Sequence, residues 1–220
     1  MANSICSSIG VEVSDITTAI SKGVPYEFVL TGPSQNNREH LKNIIVEYLS
    51  IIGKEKSYNL LCLCMEEIIS NSIKANIKRA YFLSHNLDIN NHEDYERGMK
   101  NFREGGVSNT KDKSFIEKVN RLGLYVKITF HIQDDIFYII TRNNSVISAQ
   151  EIERINKKLK LSENKTPEEI FMNSIDTTEG AGLGIIMITK ILSQISKAND
   201  CFSIRATDTE TITELKITRE

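Results

Sequence analysis

Tryptophan is absent from this chain, proline occurs three times and cysteine four times. Cys6, Cys62, Cys64 and Cys201 form no Cys-x-x-Cys pair and no close Cys/His cluster, so the usual zinc frameworks and dithiol motifs are excluded. Cys62 and Cys64 stand two apart in a helical run and diverge, so the cysteines are read as free thiols that pack in a core. No apolar run reaches the length of a membrane span. The first ten residues lack the basic start and long apolar centre of a signal peptide, so a cytoplasmic location with no membrane partner is expected. Charge of one sign is lacking too. Lys and Arg number 27 against 29 Asp and Glu, and a net charge of −2 gives no general attraction to nucleic acid.

What is present is an ordinary globular composition, 40% hydrophobic and 25% charged. A chain of 220 residues buries a sizeable core, read here as one domain with an insertion. Residues 1–23 form an N-terminal segment with a weak strand signal at 11–13. Residues 24–220 form the domain, and its polar insertion covers about 77–116. Residues 26–30 read as a strand. A helix capped by Ser34 runs to about Ile52, with Leu41, Ile44, Ile45, Tyr48, Leu49 and Ile52 on its apolar face and Gly53 at its end. A second helix, with Ser57 as N-cap, fills the apolar run 58–73 and is extendable through 77–83. Inside the insertion one short helix near 95–102 is expected, in partly mobile surroundings, and another over 115–122 stopped by Gly123.

Two alternating strands follow, at 124–132 and 136–142, joined by a hairpin turn over 133–135. Ser148 and Glu151 form a capping box for a basic helix to about Leu161, and Thr166 to Glu169 form another. An apolar helix spans 185–195, and strands at 202–206 and 211–217 close the chain. About five mostly antiparallel strands with three long helices on one face predict an α+β fold, a two-layer α/β sandwich.

The chemistry gathers in two places. In the run M-E-E-I-I-S-N-S-I-K-A-N, residues 65–76, Glu67, Asn71 and Lys74 share one helix face, which Leu60 and Cys64 extend backwards. Polar groups continuing an apolar line face a partner, a cleft or a ligand. The plainer alternative makes Glu66 and Glu67 a wet side and Asn71 the cap of a neighbouring loop. The second place is Gly180, Gly182, Leu183 and Gly184, at the start of an apolar helix. Its spacing is neither a dinucleotide fingerprint nor a Walker A loop. It offers a loop feeding a helix N-terminus, suited to phosphate oxygens, with a hinge or helix-packing cluster as the alternative. Lys157, Lys158 and Lys160 are read as a solvated helix face, and so is the Lys78–Arg79 cluster. His40, His85, His92 and His131 are read as structural or surface residues.

The order of these motifs resembles the ATP-binding domain of the GHKL superfamily, which gyrases, a heat-shock chaperone, histidine kinases and MutL-type repair proteins share. Glu67 and Asn71 are similar to its N-box, and Lys74 to a lysine that histidine kinases place three residues further on. Gly180, Gly182, Leu183 and Gly184 are similar to its second glycine box. The layout resembles anti-sigma-factor serine kinases most. The resemblance implies ATP and Mg²⁺ as cofactors, Glu67 as general base and Asn71 as the Mg²⁺ ligand. It implies Lys74 and the glycines as phosphate contacts, and residues 148–179 as a lid. Carbonyl, water and phosphate oxygens suit Mg²⁺, and a carboxylate near the transferred phosphate can take a proton.

The family's first glycine box departs here to Asn143-Asn144-Ser145-Val146-Ile147. Asn143 or Asn144 replaces the aspartate that accepts from adenine, as an acceptor without charge. The resemblance implies a stand-alone kinase acting on Ser or Thr of a protein partner in a signalling pathway, with a homodimer as a further arrangement. A degenerate regulatory module, or a histidine-kinase catalytic domain acting in trans, are the alternatives.

Overall fold

The computed structural model describes residues 5–7, 13–30, 35–104, 113–162, 169 and 183–219. Its centre is a six-stranded sheet in the order β1-β2-β3-β4-β6-β5. The strands are β1 (Ile5–Ser7), β2 (Tyr26–Leu30), β3 (Val126–Gln133), β4 (Ile136–Asn143), β5 (Phe202–Ala206) and β6 (Thr211–Thr218). From β2 onward every pairing is antiparallel, and β1 adds a sixth strand parallel to β2. The weak strand signal at 11–13 gives way to a helix that begins at Val13, and the N-terminal strand lies earlier, at Ile5–Ser7. Asp134 and Asp135 both have positive φ, 51° and 60°, the two-residue turn that matches strand twist.

The helices are α1 (Val13–Ser21), α2 (Gln35–Ile51), α3 (Tyr58–Ser84), α4 (His92–Glu104), α5 (Lys113–Arg121), α6 (Ala149–Ser162) and α7 (Leu183–Ile195). Helices α1, α2, α3 and α7 bury their apolar stripes against one face of the sheet. All six apolar positions expected on α2 are buried there. Alternation along the strands supplies the other half of the core: Tyr26, Phe28 and Leu30 on β2, Ile128 and Phe130 on β3, Phe137 and Ile139 on β4. Tyr48 stacks on Phe137 at 4.7 Å, and its hydroxyl donates to the Phe130 carbonyl at 3.2 Å. The fold is thus the expected α+β sandwich, with the helices on one side.

One local expectation is corrected and others are extended. Ser57 occupies the N-cap position of α3 but makes no side-chain cap. It is buried, and a 3₁₀ turn over Glu55–Ser57 leads into the helix instead. Helix α3 runs 27 residues, so the start of the insertion is its continuation. The insertion also has a core of its own, where Ile77, Tyr81 and Phe82 of α3 meet Ile89, Tyr95, Phe102, Val119 and Leu124. The helix expected near 95–102 is longer, and Gly98 lies flat on the Phe82 ring.

Cys62 and Cys64 are buried thiols, as expected, and burial pushes Cys64 up to about 12. The side chain of Cys6 lies outside the described residues. His40 joins the core edge through a 2.9 Å contact between its Nε2 and the Tyr26 hydroxyl, and burial lowers its pKa. His131 stacks on Tyr138. Among the described residues, no helix is long and apolar enough to cross a membrane.

Candidate functional site

Helix α3 lies along a cavity of about 340 Å³, a volume within the range of small-molecule sites. The lining residues Asn71 to Lys78 span about 10 Å of its axis. The sheet floor contributes Asn143, Thr211 and Thr213. Ile185 and Ile188 of α7 stand opposite α3. Tyr95, Met99 and Phe102 of the insertion close one side, and Glu151, Arg154 and Ile155 of α6 close another. Thr141, cross-strand neighbour of Thr213, has a fully buried hydroxyl with no hydrogen-bond partner among the described residues.

Asn71 lines one end of the cavity, and Glu67 stands beside it. One helical turn separates Glu67 from Asn71, and the Asn71 amide donates to Glu67 Oε1 at 2.9 Å. That leaves Asn71 Oδ1 as the oxygen to accept or to ligate. Lys74, one turn on, is exposed at the cavity lip. Gly184, in the first turn of α7, faces the Glu67 carboxyl so closely that a methyl group there would overlap it. This brings the carboxylate against a helix N-terminus, where the aligned peptide dipoles favour an anion. Of the predicted site residues, Glu67, Asn71 and Gly184 are therefore brought together, with Lys74 beside them. Leu183 opens α7 and is half-buried. Gly180 and Gly182 lie outside the described residues. Of the two residues expected to extend the N-box face, Cys64 is buried and Leu60 is exposed.

The other end is a tied amide turn. Asn143, 4% exposed, donates to Asn76 Oδ1 at 3.4 Å and to the Ser145 carbonyl at 3.2 Å. That carbonyl also accepts from the Thr211 hydroxyl at 2.8 Å, and Thr211 Oγ1 accepts from the Ile147 amide at 2.7 Å. Ser145 donates to the Ala75 carbonyl of α3 at 3.3 Å. Asn144 turns away from the cavity. Its oxygen accepts from the Tyr125 amide at 2.8 Å, and its amide donates to the Gly123 carbonyl at 2.9 Å. Asn143 alone of this pair lines the cavity, and Asn144 anchors the chain between α5 and β3.

Helix α6 is held over the cavity by side chains that sequence reading left unassigned. Its capping box forms as expected, with the Glu151 amide donating to Ser148 Oγ and Glu151 accepting back from the Ser148 amide. Glu151 also pairs with Lys78 of α3. Lys78 is thus a half-buried partner, not the solvated surface expected of it. Burial pushes the Glu151 carboxyl up, but the Lys78 ammonium, its hydrogen bond and two from Ser148 outweigh that, and the pKa falls below its ordinary value. Arg154 lies 5.5 Å from the Tyr95 ring centroid and 3.4 Å from Glu96, tying α6 to the insertion. Lys157 and Lys160 are exposed, while the Lys158 side chain is outside the described residues. Asn76 was visible as a third polar residue after Asn71 and Lys74. Its link to Asn143 is a contact over 67 positions that no local pattern announces.

The Asn71 amide oxygen is a hard donor that could hold Mg²⁺ completed by water and phosphate, the Glu67 carboxylate beside it could take a proton, and Lys74 adds a cation. Among the described residues there is no cluster of three or more His, Cys, Asp or Glu for an all-protein metal cage.

No family model matches the chain, and no solved structure does. An uncharacterized protein of Treponema pallidum (strain Nichols) is 27% identical over 212 residues, which cover 96% of this chain and 41% of that protein. The chain thus spans about two fifths of the length of the relative it matches.

Proposed function

We propose that the cavity binds ATP with Mg²⁺ and that the chain is a GHKL-type protein kinase acting on a Ser or Thr of a signalling partner. The observation that carries this reading is the convergence of Glu67, Asn71 and Gly184, three residues from two separate motifs, beside a cavity that Asn71 lines. The base takes the Asn143 end and the triphosphate runs along α3 towards Asn71 and Lys74. Asn71 Oδ1 is the protein oxygen that would hold Mg²⁺, and the ion would supply neutralisation of charge on the phosphates. Glu67 takes the proton of the attacking hydroxyl as the oxygen–phosphorus bond to that hydroxyl forms. The bond from the γ-phosphorus to its bridging oxygen breaks, and ADP leaves.

A second reading is a regulatory module that keeps the fold without chemistry. The Asn143-Asn144-Ser145 turn favours it, because it lacks the glycines that let a backbone approach a base closely. Calorimetric titration with ATP and MgCl₂ separates the two. Binding that Asn71→Ala weakens at least about a hundredfold, the scale of losing one metal-coordinating contact, supports the site. No binding at millimolar nucleotide overturns the kinase reading. If phosphate transfer is then found, acid-stable phosphoprotein supports Ser/Thr as acceptor, and acid-labile phosphoprotein supports a histidine kinase acting in trans.

A further inference from the structure

We propose that Asn76 is a positioning residue that sets which end of the Asn143 amide faces the cavity, so that position 143 accepts a hydrogen bond and selects a 6-aminopurine over a 6-oxopurine. This rests on the nucleotide reading and adds to it the source of base selectivity.

An asparagine in place of an aspartate raises a problem of polarity. A carboxylate accepts whichever way it turns, whereas an amide turned over becomes a donor. In this structure the polarity of Asn143 is set from outside the cavity. Asn76 is 3% exposed, and its amide donates to the Tyr125 carbonyl at 3.1 Å. That bond directs Asn76 Oδ1 to Asn143, whose amide donates to it at 3.4 Å. The second hydrogen of Asn143 goes to the Ser145 carbonyl at 3.2 Å, and the Thr211 hydroxyl holds that carbonyl in place.

Both hydrogens of the Asn143 amide are thus directed at acceptors, and Oδ1 is the atom left to receive a hydrogen bond from a cavity occupant. Turning the amide over would set its oxygen against two buried carbonyl oxygens and leave all three unsatisfied. An exocyclic amine at the purine 6-position donates to Oδ1, whereas a 6-oxo group meets it acceptor to acceptor. A site built around one polarity rejects the ligand of the other.

The test is calorimetric binding of ATP and ITP, which differ at the 6-position, to the wild-type chain and to Asn76→Leu and Asn76→Asp. Wild type is expected to bind ATP about tenfold or more tightly than ITP, the effect of one hydrogen bond exchanged for a clash. Asn76→Leu removes the acceptor that fixes Asn143, so the ATP:ITP ratio should fall below about threefold. Asn76→Asp loses the bond to the Tyr125 carbonyl, but a carboxylate accepts whichever way it turns, so in the folded variant it still fixes Asn143 and should restore most of the ratio, which a merely structural role would not do. If Asn76→Leu fails to fold, equal wild-type affinity for ATP and ITP still overturns the inference while leaving nucleotide binding intact, and loss of the ATP preference in folded Asn76→Asp overturns the role of Asn76. An ATP preference unchanged in folded Asn76→Leu overturns the role of Asn76. Binding of neither nucleotide overturns the nucleotide reading, and this inference with it.

Discussion

At the Asn143 end of the cavity nearly every polar group has a partner: Asn76, Asn143, Ser145, Thr211 and the Ile147 amide form one hydrogen-bonded network. At the Glu67 end the side-chain bond among the described residues is the one from Asn71 to Glu67, and Lys74 stands exposed. A rigid end recognises shape and polarity, because its groups have no freedom left to lose on binding. A loosely paired end suits a triphosphate and an ion, whose own charges supply the missing partners. On the proposed function, the groups that exchange partners during phosphate transfer lie at this end.

The contrast predicts unequal mutational costs, and four substitutions probe it. Lys78→Met leaves the Glu151 carboxylate buried without its cation, and should cost about 3 kcal/mol in urea unfolding at pH 7. The Glu151 pKa is lowered in the folded wild type, so its contribution is complete above the ordinary value of 4.5 and is lost as pH falls through the lowered one. The gap between wild type and Lys78→Met should therefore narrow below about pH 4.5, and a gap constant with pH would argue against the pair as its source.

Thr211→Val keeps the shape and removes the hydroxyl that joins Ser145 to Ile147. A loss of about 2 kcal/mol is expected, and less than about 0.5 kcal/mol would mean that the amide end is not the tied network described. Gly98→Ala places a methyl on the Phe82 ring, which is packed on every side. It should cost about 1 kcal/mol after the gain in helix propensity is set against the overpacking. If it stabilises the chain instead, the insertion is less firmly packed on α3 than its core indicates.

Gly184→Ala should cost least in stability, within about 0.5 kcal/mol, because the atoms it meets are the mobile end of Glu67. Displacing that carboxylate from Asn71 should nevertheless lower phosphate transfer about a hundredfold while leaving ATP affinity nearly unchanged. A large loss of stability with unchanged turnover would reverse the distinction between the two ends.

The same contrast governs how much was legible in the sequence. Periodicity gave the apolar face of α2 residue by residue, and the alternation of β3 and β4, because those signals are local. The hairpin turn was readable from its polar residues, and the capping box of α6 from Ser148 and Glu151. The loosely paired end was legible for the same reason, since Glu67, Asn71 and Lys74 lie on one helix face. The tied end was not. Asn76 to Asn143, Lys78 to Glu151 and Thr211 to Ser145 are each separated by more than sixty positions, and only the assembled sheet brings them together.

The core of the insertion is not legible in the sequence for a related reason. Its composition is polar, but Tyr81, Phe82, Tyr95 and Phe102 fall on separate helices whose shared core exists only after they pack. In place of the strand expected at 11–13, a helix begins at Val13 and places Ile16 and Ala19 in the core.

The central claim, that this cavity is where a nucleotide sits, is tested most directly by photolabelling with 8-azido-ATP in MgCl₂ and mapping the labelled peptide. The account predicts label on cavity-wall peptides, within residues 68–78, 143–155 or 185–188, suppressed by excess ATP and by Asn71→Ala. Label confined to another surface, or unaffected by either competitor, would contradict it.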